Sequence, residues 1–337
     1  MPHSLSTSRS PWPHRWAVLL ACATFPLVWW GGFVTATGSG MAFRDWLTSD
    51  GVFMPAYPWL SSAGDKFIEH GHRLLAMLTG MLTIALVVVC YRCEPRRWVR
   101  HYSLGLFAGV LAQGVLGGMR VLLDERVLAL LHGCIGPLFF AATAGMAAVT
   151  SRRWAESQPI SSATTADGNR KLARLAVLTA ALAYLQLVLG AIVRHSPYML
   201  GDGAATIFQI AVYFHVILAA AVTFHVLWLA VRCVRARLCV GLSSALAGLI
   251  GVQLLLGASS WIVKYGMPAW ATRLVGETGH FNRASDLASA AVLAAHGAIG
   301  ALMVAGAAAI AFHACRRIGR ASSAAAAGVA LFTGAPA

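Results

Sequence analysis

The chain of 337 residues carries a formal net charge of +14, but only 11% of its residues are charged and 58% are hydrophobic. A soluble globular chain carries roughly 25% charged residues, so the composition excludes a soluble protein built around one core. The basic residues stand in short clusters between long apolar runs, not on a polar face with interleaved aromatics, which excludes a nucleic-acid-binding protein.

Eight apolar stretches are long enough to cross the hydrocarbon core of a bilayer, which takes about 20 helical residues. In chain order they cover 16–36, 72–92, 102–122, 128–150, 172–194, 208–231, 239–263 and 287–314. The first follows a basic leader at 1–15, and we interpret it as a retained helix because its apolar stretch is longer than a signal peptide needs. The chain is therefore predicted to be an all-α integral membrane protein with eight transmembrane helices.

Lysine and arginine are distributed unevenly between the predicted loops. Most of the 26 lie at the two ends of the chain and in the loops after the second, fourth and sixth helices. The positive-inside rule then places both termini on the cytoplasmic side of a bacterial plasma membrane. The long loops at 37–71, 195–207 and 264–286 would face outward, and the cytoplasmic tail at 315–337 is expected to be poorly ordered from about residue 321.

A helix hairpin with one histidine occurs four times in the sequence. The third, fifth and seventh helices share an ending in which a glutamine precedes a glycine by four residues, and the first helix ends in a looser Trp30-Gly31-Gly32. The even-numbered helix that follows each of them carries a histidine in its outer part. These histidines are His72, His132, His215 and His296.

Two such hairpins make a four-helix bundle, so the chain is predicted to form two pseudo-symmetric bundles at 16–150 and 172–314. A cytoplasmic linker at 151–171 would join them. Glycines at the shared endings would let a flat macrocycle or a neighbouring helix approach the backbone. These glycines are Gly117, Gly118, Gly190 and Gly257.

Histidines that face each other in the core of a bundle can provide axial ligands to heme iron. One intramembrane histidine can simply bond to a neighbouring helix, but four at equivalent depth in four repeats are typical of a cofactor site. His225 and His313 have no partner at their depth, and we interpret them as structural. Four basic residues at the outer face would pair with heme propionates or extend to the membrane interface. They are Arg73, Arg120, Arg194 and Lys264.

The first histidine hairpin differs from the others because a carboxylate accompanies the histidine. Glu69 precedes His72 by three residues, so both lie on one face of a helix. A carboxylate beside a metal ligand can move protons or stabilise a developing cation, whereas the alternative is a solvated acid at the membrane interface or a charge at a helix N-terminus. His70 is an alternative ligand, but it points about 200° away from His72 around a helix, so we favour His72.

The segment from Gly31 to Ala42, GGFVTATGSGMA, is followed by Asp45-Trp46 and by the motif Glu69-x-x-His72-Arg73. Together with the spaced histidines, this pattern resembles the heme A synthase family over about residues 15–315. Members of that family oxidise the C8 methyl group of heme O to the formyl group of heme A, the cofactor of terminal oxidases. The sequence departs from many members because residues 37–71 contain no cysteine and because Leu47, not proline, follows Asp45-Trp46.

The resemblance implies a role for each histidine pair. His72 and His132 match the pair thought to bind the substrate heme O, with Arg73 and Arg120 beside them, and Glu69 matches the family's essential glutamate. The other pair matches the ligands of a heme b cofactor, with two basic residues nearby. These residues are His215, His296, Arg194 and Lys264.

The resemblance also implies partners, namely heme O synthase and cytochrome oxidase assembly factors, in addition to the lipid bilayer and the heme itself. A homo-oligomer is left open. Two other functions remain alternatives at this point. A membrane b-type cytochrome that only transfers electrons from quinol would need the same four histidines, and a transporter would need none of them for iron.

Overall fold

The computed structural model describes residues 10–156, 163–196, 204–266 and 286–333. In this part of the chain nine α-helices form, and eight of them are long and apolar enough to cross a membrane. The helices are α1 Trp12–Thr37, α2 Gly64–Cys93, α3 Arg97–Leu122, α4 Arg126–Thr150, the short α5 Arg152–Ala155, α6 Ala163–His195, α7 Ala204–Arg235, α8 Val240–Tyr265 and α9 Leu287–Thr333. The prediction of an all-α, multi-pass membrane protein is confirmed.

Two helix bounds differ clearly from the predicted ones. Helix α2 begins at Gly64, eight residues before the predicted start, because its first turns are too polar to count as part of an apolar span. Helix α9 continues to Thr333, well beyond the predicted end at 314 and through much of the expected poorly ordered tail. That extension is rich in alanine, the residue with the highest helix propensity.

The long helices pack against their neighbours in the chain and also against helices distant in sequence, and α6 with α9 is the most extensive contact among the described residues. Within the first four, α1 also packs against α4, and within the last four, α6 also packs against α9. The two groups meet where α9 contacts α1 and α4, and where α4 contacts α6. These contacts are what two adjoining four-helix groups would give, and the pseudo-symmetry between the groups stays a prediction.

Helix α9 is the most buried of the eight spans. In its most apolar stretch 61% of the residues are buried, against 33% or fewer in each of the other seven. Its buried face consists largely of alanines, including Ala294, Ala301 and Ala307. Small side chains let helices approach closely, which is the usual basis of helix packing in membranes.

The segment between α1 and α2, residues 38–63, folds into a compact structure that we name the outer cap. It contains a two-residue hairpin in which β1 (Thr48–Ser49) pairs antiparallel with β2 (Val52–Phe53). The turn residues Asp50 and Gly51 have φ of 53° and 76°, the left-handed conformation that an Asp-Gly turn favours. Three single-turn 3₁₀ helices complete it, at Ser39–Met41, Met54–Ala56 and Trp59–Ser61. Most of the predicted outer loops at 195–207 and 264–286 lies outside the described residues.

Candidate functional site

The structure brings the four histidines together in two pairs. The ring centroids of His72 and His132 are 6.4 Å apart, and those of His215 and His296 are 6.3 Å apart. In both pairs the rings are close to perpendicular, at 85° and 74°. Two bonds of about 2 Å from imidazole nitrogens to one metal ion, plus ring radii of about 1 Å, require a centroid spacing of about 6 Å. Each pair therefore fits axial ligation of one heme iron.

Each histidine ring packs against one glycine of the preceding long helix. A Cβ atom added to Gly31 would lie 2.9 Å from Cε1 of His72, and one added to Gly117 would lie 3.1 Å from Cε1 of His132. The same arrangement occurs in the second half, where the corresponding distances are 3.0 Å and 3.1 Å. The second-half pairs are Gly190 with His215 and Gly257 with His296. These glycines make room for the ligands themselves.

Three of the histidines are also held at the backbone by the glutamines of the repeated endings. The side-chain amide Nε2 donates a hydrogen bond to the carbonyl oxygen of the histidine on the neighbouring helix. The donor–acceptor distances are 3.1 Å for Gln113 to His132, 2.9 Å for Gln186 to His215 and 3.1 Å for Gln253 to His296. The sequence pattern identified these glutamines, but only the structure shows that they bond to the carbonyl oxygens of the histidines.

Glu69 is buried, with only 2% of its surface exposed, and both of its carboxylate oxygens are occupied. Oε1 accepts from Nη2 of Arg73 at 2.7 Å and from its Nε at 3.2 Å. Oε2 accepts from the backbone N–H groups of Ala42 at 2.7 Å and Phe43 at 3.2 Å. The alternative of a solvated interfacial acid is wrong, because this carboxylate joins α2 to the outer cap.

Arg73 is fully engaged with the protein. In addition to Glu69, its guanidinium donates to the carbonyl oxygens of Asp45 and Thr48, both at 2.8 Å. Its Cζ lies 5.0 Å from the ring centroid of the fully buried Phe43, a cation–π contact. The predicted role of Arg73 at a heme propionate would require these bonds to be exchanged, and that role stays a prediction.

The motif from Gly31 to Ala42 has a structural explanation in the outer cap. Ser39 Oγ donates to Asp65 at the start of α2 at 2.8 Å, and the Gly40 carbonyl accepts from Nη2 of Arg120 at 3.2 Å. Trp46 packs directly on Gly118 of α3, where any Cβ atom would overlap its ring. Gly118 therefore accommodates a tryptophan of the cap and not a macrocycle.

His70 lies on the cap side of α2 and not in the histidine pair. It is fully buried, its Nδ1 is 2.9 Å from Oγ of Ser49, and its ring centroid is 4.7 Å from that of Tyr57. His72, on the opposite side of the helix, is the residue that faces His132. The geometry agrees with the choice of His72 over His70 as the ligand.

The remaining predicted basic residues lie near the C-terminal ends of their helices. Nη2 of Arg194 donates to the carbonyl oxygen of Gly32 at 2.6 Å, which connects α6 to α1. Nζ of Lys264 lies 5.5 Å from the ring centroid of Tyr265. Their proposed pairing with propionates, like that of Arg120, stays a prediction.

Asp45 organises the hairpin of the outer cap. Its Oδ2 accepts from the hydroxyl of Thr48 at 2.6 Å and from the backbone N–H of Gly51 at 2.9 Å. Burial raises the pKa of this carboxyl, but the hydrogen bonds from Gly51 and Thr48 together outweigh burial and hold the pKa of Asp45 below its ordinary value.

His225 and His313 lie outside the two histidine pairs, and each contacts other protein groups. Nδ1 of His225 lies 2.8 Å from the carbonyl oxygen of Ala221 in its own helix, and His313 packs against Trp154 with ring centroids 5.8 Å apart. All seven cysteines are unpaired. These contacts agree with the structural interpretation of His225 and His313.

Comparison with known proteins identifies relatives of the chain. The model of the family COX15-CtaA, described as cytochrome oxidase assembly protein, matches residues 14–274. A heme A synthase of Symbiobacterium thermophilum is 34% identical over 175 residues, which are 50% of this chain and 54% of that protein. A heme A synthase of Allorhizobium ampelinum is 27% identical over 129 residues, 36% of this chain and 35% of that protein.

A third relative, a heme A synthase of Rhizobium rhizogenes, is 26% identical over 139 residues, 39% of this chain and 38% of that protein. The alignments thus span about half the length of the first of these curated relatives and less of the others. The family model covers most of the chain, including the outer cap, Glu69 and three of the four paired histidines. This chain belongs to the COX15-CtaA family of cytochrome oxidase assembly proteins.

Proposed function

We propose that this protein is a heme A synthase that oxidises the C8 methyl group of heme O to the formyl group of heme A. Converting a methyl to a formyl group with oxygen from water releases four protons and four electrons. The substrate heme would bind between His72 and His132. The products of the reaction are heme A, the protons and electrons for an external acceptor.

The observation that carries this proposal is a difference in charge between two histidine pairs of almost equal spacing. Both pairs have the spacing that suits one heme iron, but only His72 has a carboxylate one helical turn before it. The residues at the equivalent positions of the other repeats are Ala129, Val212 and Leu293. A protein that used both hemes only for electron transfer would not need this buried charge in one half.

Glu69 is proposed to act through its negative charge. Because four N–H donors surround its two oxygens, the carboxyl group is held in place on the same helix face as His72. A fixed carboxylate can stabilise positive charge that develops on the substrate during oxidation, or accept a proton after one of these bonds is broken. Arg120 is proposed to pair with a propionate of the substrate, since heme carboxylates suit the planar guanidinium.

The second pair, His215 and His296, is proposed to hold heme b, with Arg194 and Lys264 near its propionates. When bound there, heme b would supply one-electron transfer. The rings already lie at the required spacing, and the glutamine and glycine beside each ligand hold the backbone and accommodate the ring. Residues 16–150 would then form the substrate bundle, and residues 172–314 the cofactor bundle.

The family is associated with membranes, and we infer a bacterial plasma membrane with both termini in the cytoplasm. The outer cap and both histidine pairs would then lie toward the outside, because α2, α4, α7 and α9 would run inward. Heme O synthase and cytochrome oxidase assembly factors are proposed as partners, since one would supply the substrate and the others would use the product.

The test is extraction and identification of the hemes from the purified full-length protein. Heme O or heme A together with heme B would support the synthase. Heme B alone would favour the alternative, a b-type cytochrome that transfers electrons from quinol. The nearly equal spacing of the two histidine pairs is the observation that favours this alternative. If the protein is expressed with ample heme and shows no heme absorption band, both the synthase and the cytochrome are contradicted, and a transporter is the remaining alternative.

A further inference from the structure

We propose that Gln113, Gln186 and Gln253 are positioning residues that clamp three of the four axial ligands, and that His72 is the ligand that moves when heme enters or leaves. The assignment of the exchanging heme as substrate rests on the proposed function. The difference between the ligands rests on the structure alone.

Each clamp combines the same two contacts from one helix face, and Gln186 adds a third because its Nε2 also lies 3.2 Å from the ring nitrogen Nε2 of His215. The glutamine lies one helical turn before the glycine, so its amide bonds to the histidine's carbonyl while the glycine accommodates the ring of the same histidine. The carbonyl already accepts a hydrogen bond within its own helix, so the glutamine adds a bond between helices at the level of the ligand. In lipid such bonds hold neighbouring helices in register.

The first hairpin keeps the glycine but lacks the glutamine. Gly31 faces the ring of His72 as in the other repeats, but the residue four positions earlier is Leu27, whose side chain has no hydrogen-bond donor. Helix α1 instead reaches α2 through Trp30, whose Nε1 donates to the carbonyl oxygen of Ile68 at 2.7 Å. That bond lies one turn outward of His72.

The outward position connects His72 to the outer cap. Ile68 is followed directly by Glu69, which the backbone of Ala42 and Phe43 holds, and is preceded by Phe67, whose carbonyl accepts from Nε1 of Trp59 at 2.8 Å. The outer turns of α2 are therefore fixed to the cap and to Trp30. A displacement of the cap would reach His72 without a glutamine amide on α1 to oppose it, because the side chain at this position is that of Leu27.

The two heme sites then differ in how their ligands are secured. His215 and His296 are both clamped, as suits a group that stays bound through many turnovers. In the other pair only His132 is clamped, so the bond to His72 can break while His132 keeps the heme oriented. We infer that entry of substrate and departure of product proceed through release of His72.

The experiment measures heme loss from the full-length protein, loaded with hemin at both sites in lipid nanodiscs, to an excess of apomyoglobin. A His296→Ala variant, which lacks the second pair, assigns the phase that belongs to the first site. Leu27→Gln is expected to slow heme loss from the first site by about three- to tenfold, the range expected of one bond between helices in lipid. Leu27→Met has similar size and no donor, and it should lose heme as the parent does.

The converse variants are Gln186→Met and Gln253→Met, which keep the size of the side chain but remove the amide. Each should speed loss of the second heme by about three- to tenfold and leave the first phase unchanged. The proposal is overturned if Leu27→Gln behaves like Leu27→Met, or if both glutamine variants release the second heme at the parental rate.

These outcomes can be separated from failure of the proposed function. Hemin exchange requires no turnover, so a protein that proves to be a b-type cytochrome would still show or lack the asymmetry between its two sites. If neither site retained hemin, the proposed function and the clamp proposal would both fail. If extraction found heme O or heme A but the Leu27 variants were alike, only the clamp proposal would fail.

Discussion

Arg73 and Glu69 form an ion pair one helical turn apart on α2, with 2.7 Å between Nη2 and Oε1 and with both side chains almost inaccessible to solvent. The pair lies between the histidine ligand His72 and the outer cap, and both partners also bond to the cap's backbone. A buried charge that loses its partner is strongly destabilising, at about 3–5 kcal/mol. The pair therefore fixes the position of the cap, and under the proposed function it also places a carboxylate near the substrate.

Replacing Glu69 should stop product formation while heme remains bound. Glu69→Ala removes the charge and leaves Arg73 unpaired in the cap, so heme A should be absent from extracts although heme B and heme O are retained. The double variant Glu69→Ala/Arg73→Ala removes the unpaired charge and should recover part of the stability lost in the single variant, because it also loses the bonds of Arg73 to the carbonyl oxygens of Asp45 and Thr48. Thermal unfolding and heme extraction would be measured on the same preparations.

The double variant separates the two roles of Glu69. If stability returns but heme A does not form, the ion pair of Glu69 and Arg73 is needed for the reaction itself and not only for the position of the cap. If heme A formation returns with stability, Glu69 acts only by holding the cap. A Glu69→Ala single variant with normal heme A content would remove the residue from the mechanism.

Loss of either ligand in the second pair should abolish stable heme b. His215→Ala and His296→Ala each leave one imidazole where two are needed, so the low-spin absorption spectrum of a bis-histidine heme should disappear from that site. His225→Ala is the matched control, because the hydrogen bond of His225 goes to a carbonyl oxygen of its own helix and its ring contacts Phe224 and Trp228 of that same helix. Retention of the full spectrum in both ligand variants would show that the pairing is wrong.

An added methyl group at the glycines that pack against the histidine rings should lower heme occupancy. Gly257→Ala would place Cβ 3.1 Å from Cε1 of His296, closer than ordinary van der Waals contact, so the ring must shift. Gly251 of the same helix faces open space, which makes Gly251→Ala a control for the change in helix propensity. Gly117→Ala and Gly114→Ala form the same comparison on α3.

The heme-to-protein ratio by pyridine hemochrome assay measures this effect. Gly257→Ala and Gly117→Ala should each lower the ratio, whereas the two control variants should match the parent. Equal ratios in all four variants would mean that the rings tolerate the methyl groups and that the glycines have no part in ligand placement.

Acid should loosen the hairpin of the outer cap through Asp45. Its folded pKa lies below the ordinary value of 3.8, so its contribution to stability is complete above that value and is lost as the pH falls through the lower folded pKa. Proteolysis of the cap should rise below about pH 4 in the parent. The Asp45→Asn variant should show no such rise in proteolysis. An equal rise in the parent and in the variant would mean that another group titrates.

Much of the fold follows from periodicity and composition. Eight apolar stretches predicted the eight spans because a bilayer sets a minimum length for an apolar helix. The repeat placed four histidines at equivalent depth, and the motifs shared with the heme A synthase family paired His72 with His132 and His215 with His296, which are the pairs in the structure. Both inferences depend on local pattern, which a single sequence contains.

The outer cap could not be predicted in the same way. Its contacts join residues far apart in the chain, such as Ala42 with Glu69 and Trp46 with Gly118, and no periodicity relates them. The first turns of α2 were also missed, because Asp65, Lys66 and Glu69 end an apolar window although they continue a helix. Hydropathy alone does not locate the start of a helix whose first turns carry polar residues of a site.

The burial of α9 has a consequence for biogenesis. This helix fills the space between α1, α4, α6 and α8, yet it is translated after all of them. Before α9 is inserted, the surfaces of the earlier helices that will contact its alanines are covered only by lipid or by a chaperone. Nascent chains stalled before residue 287 should therefore be the ones that membrane quality-control proteases degrade most readily.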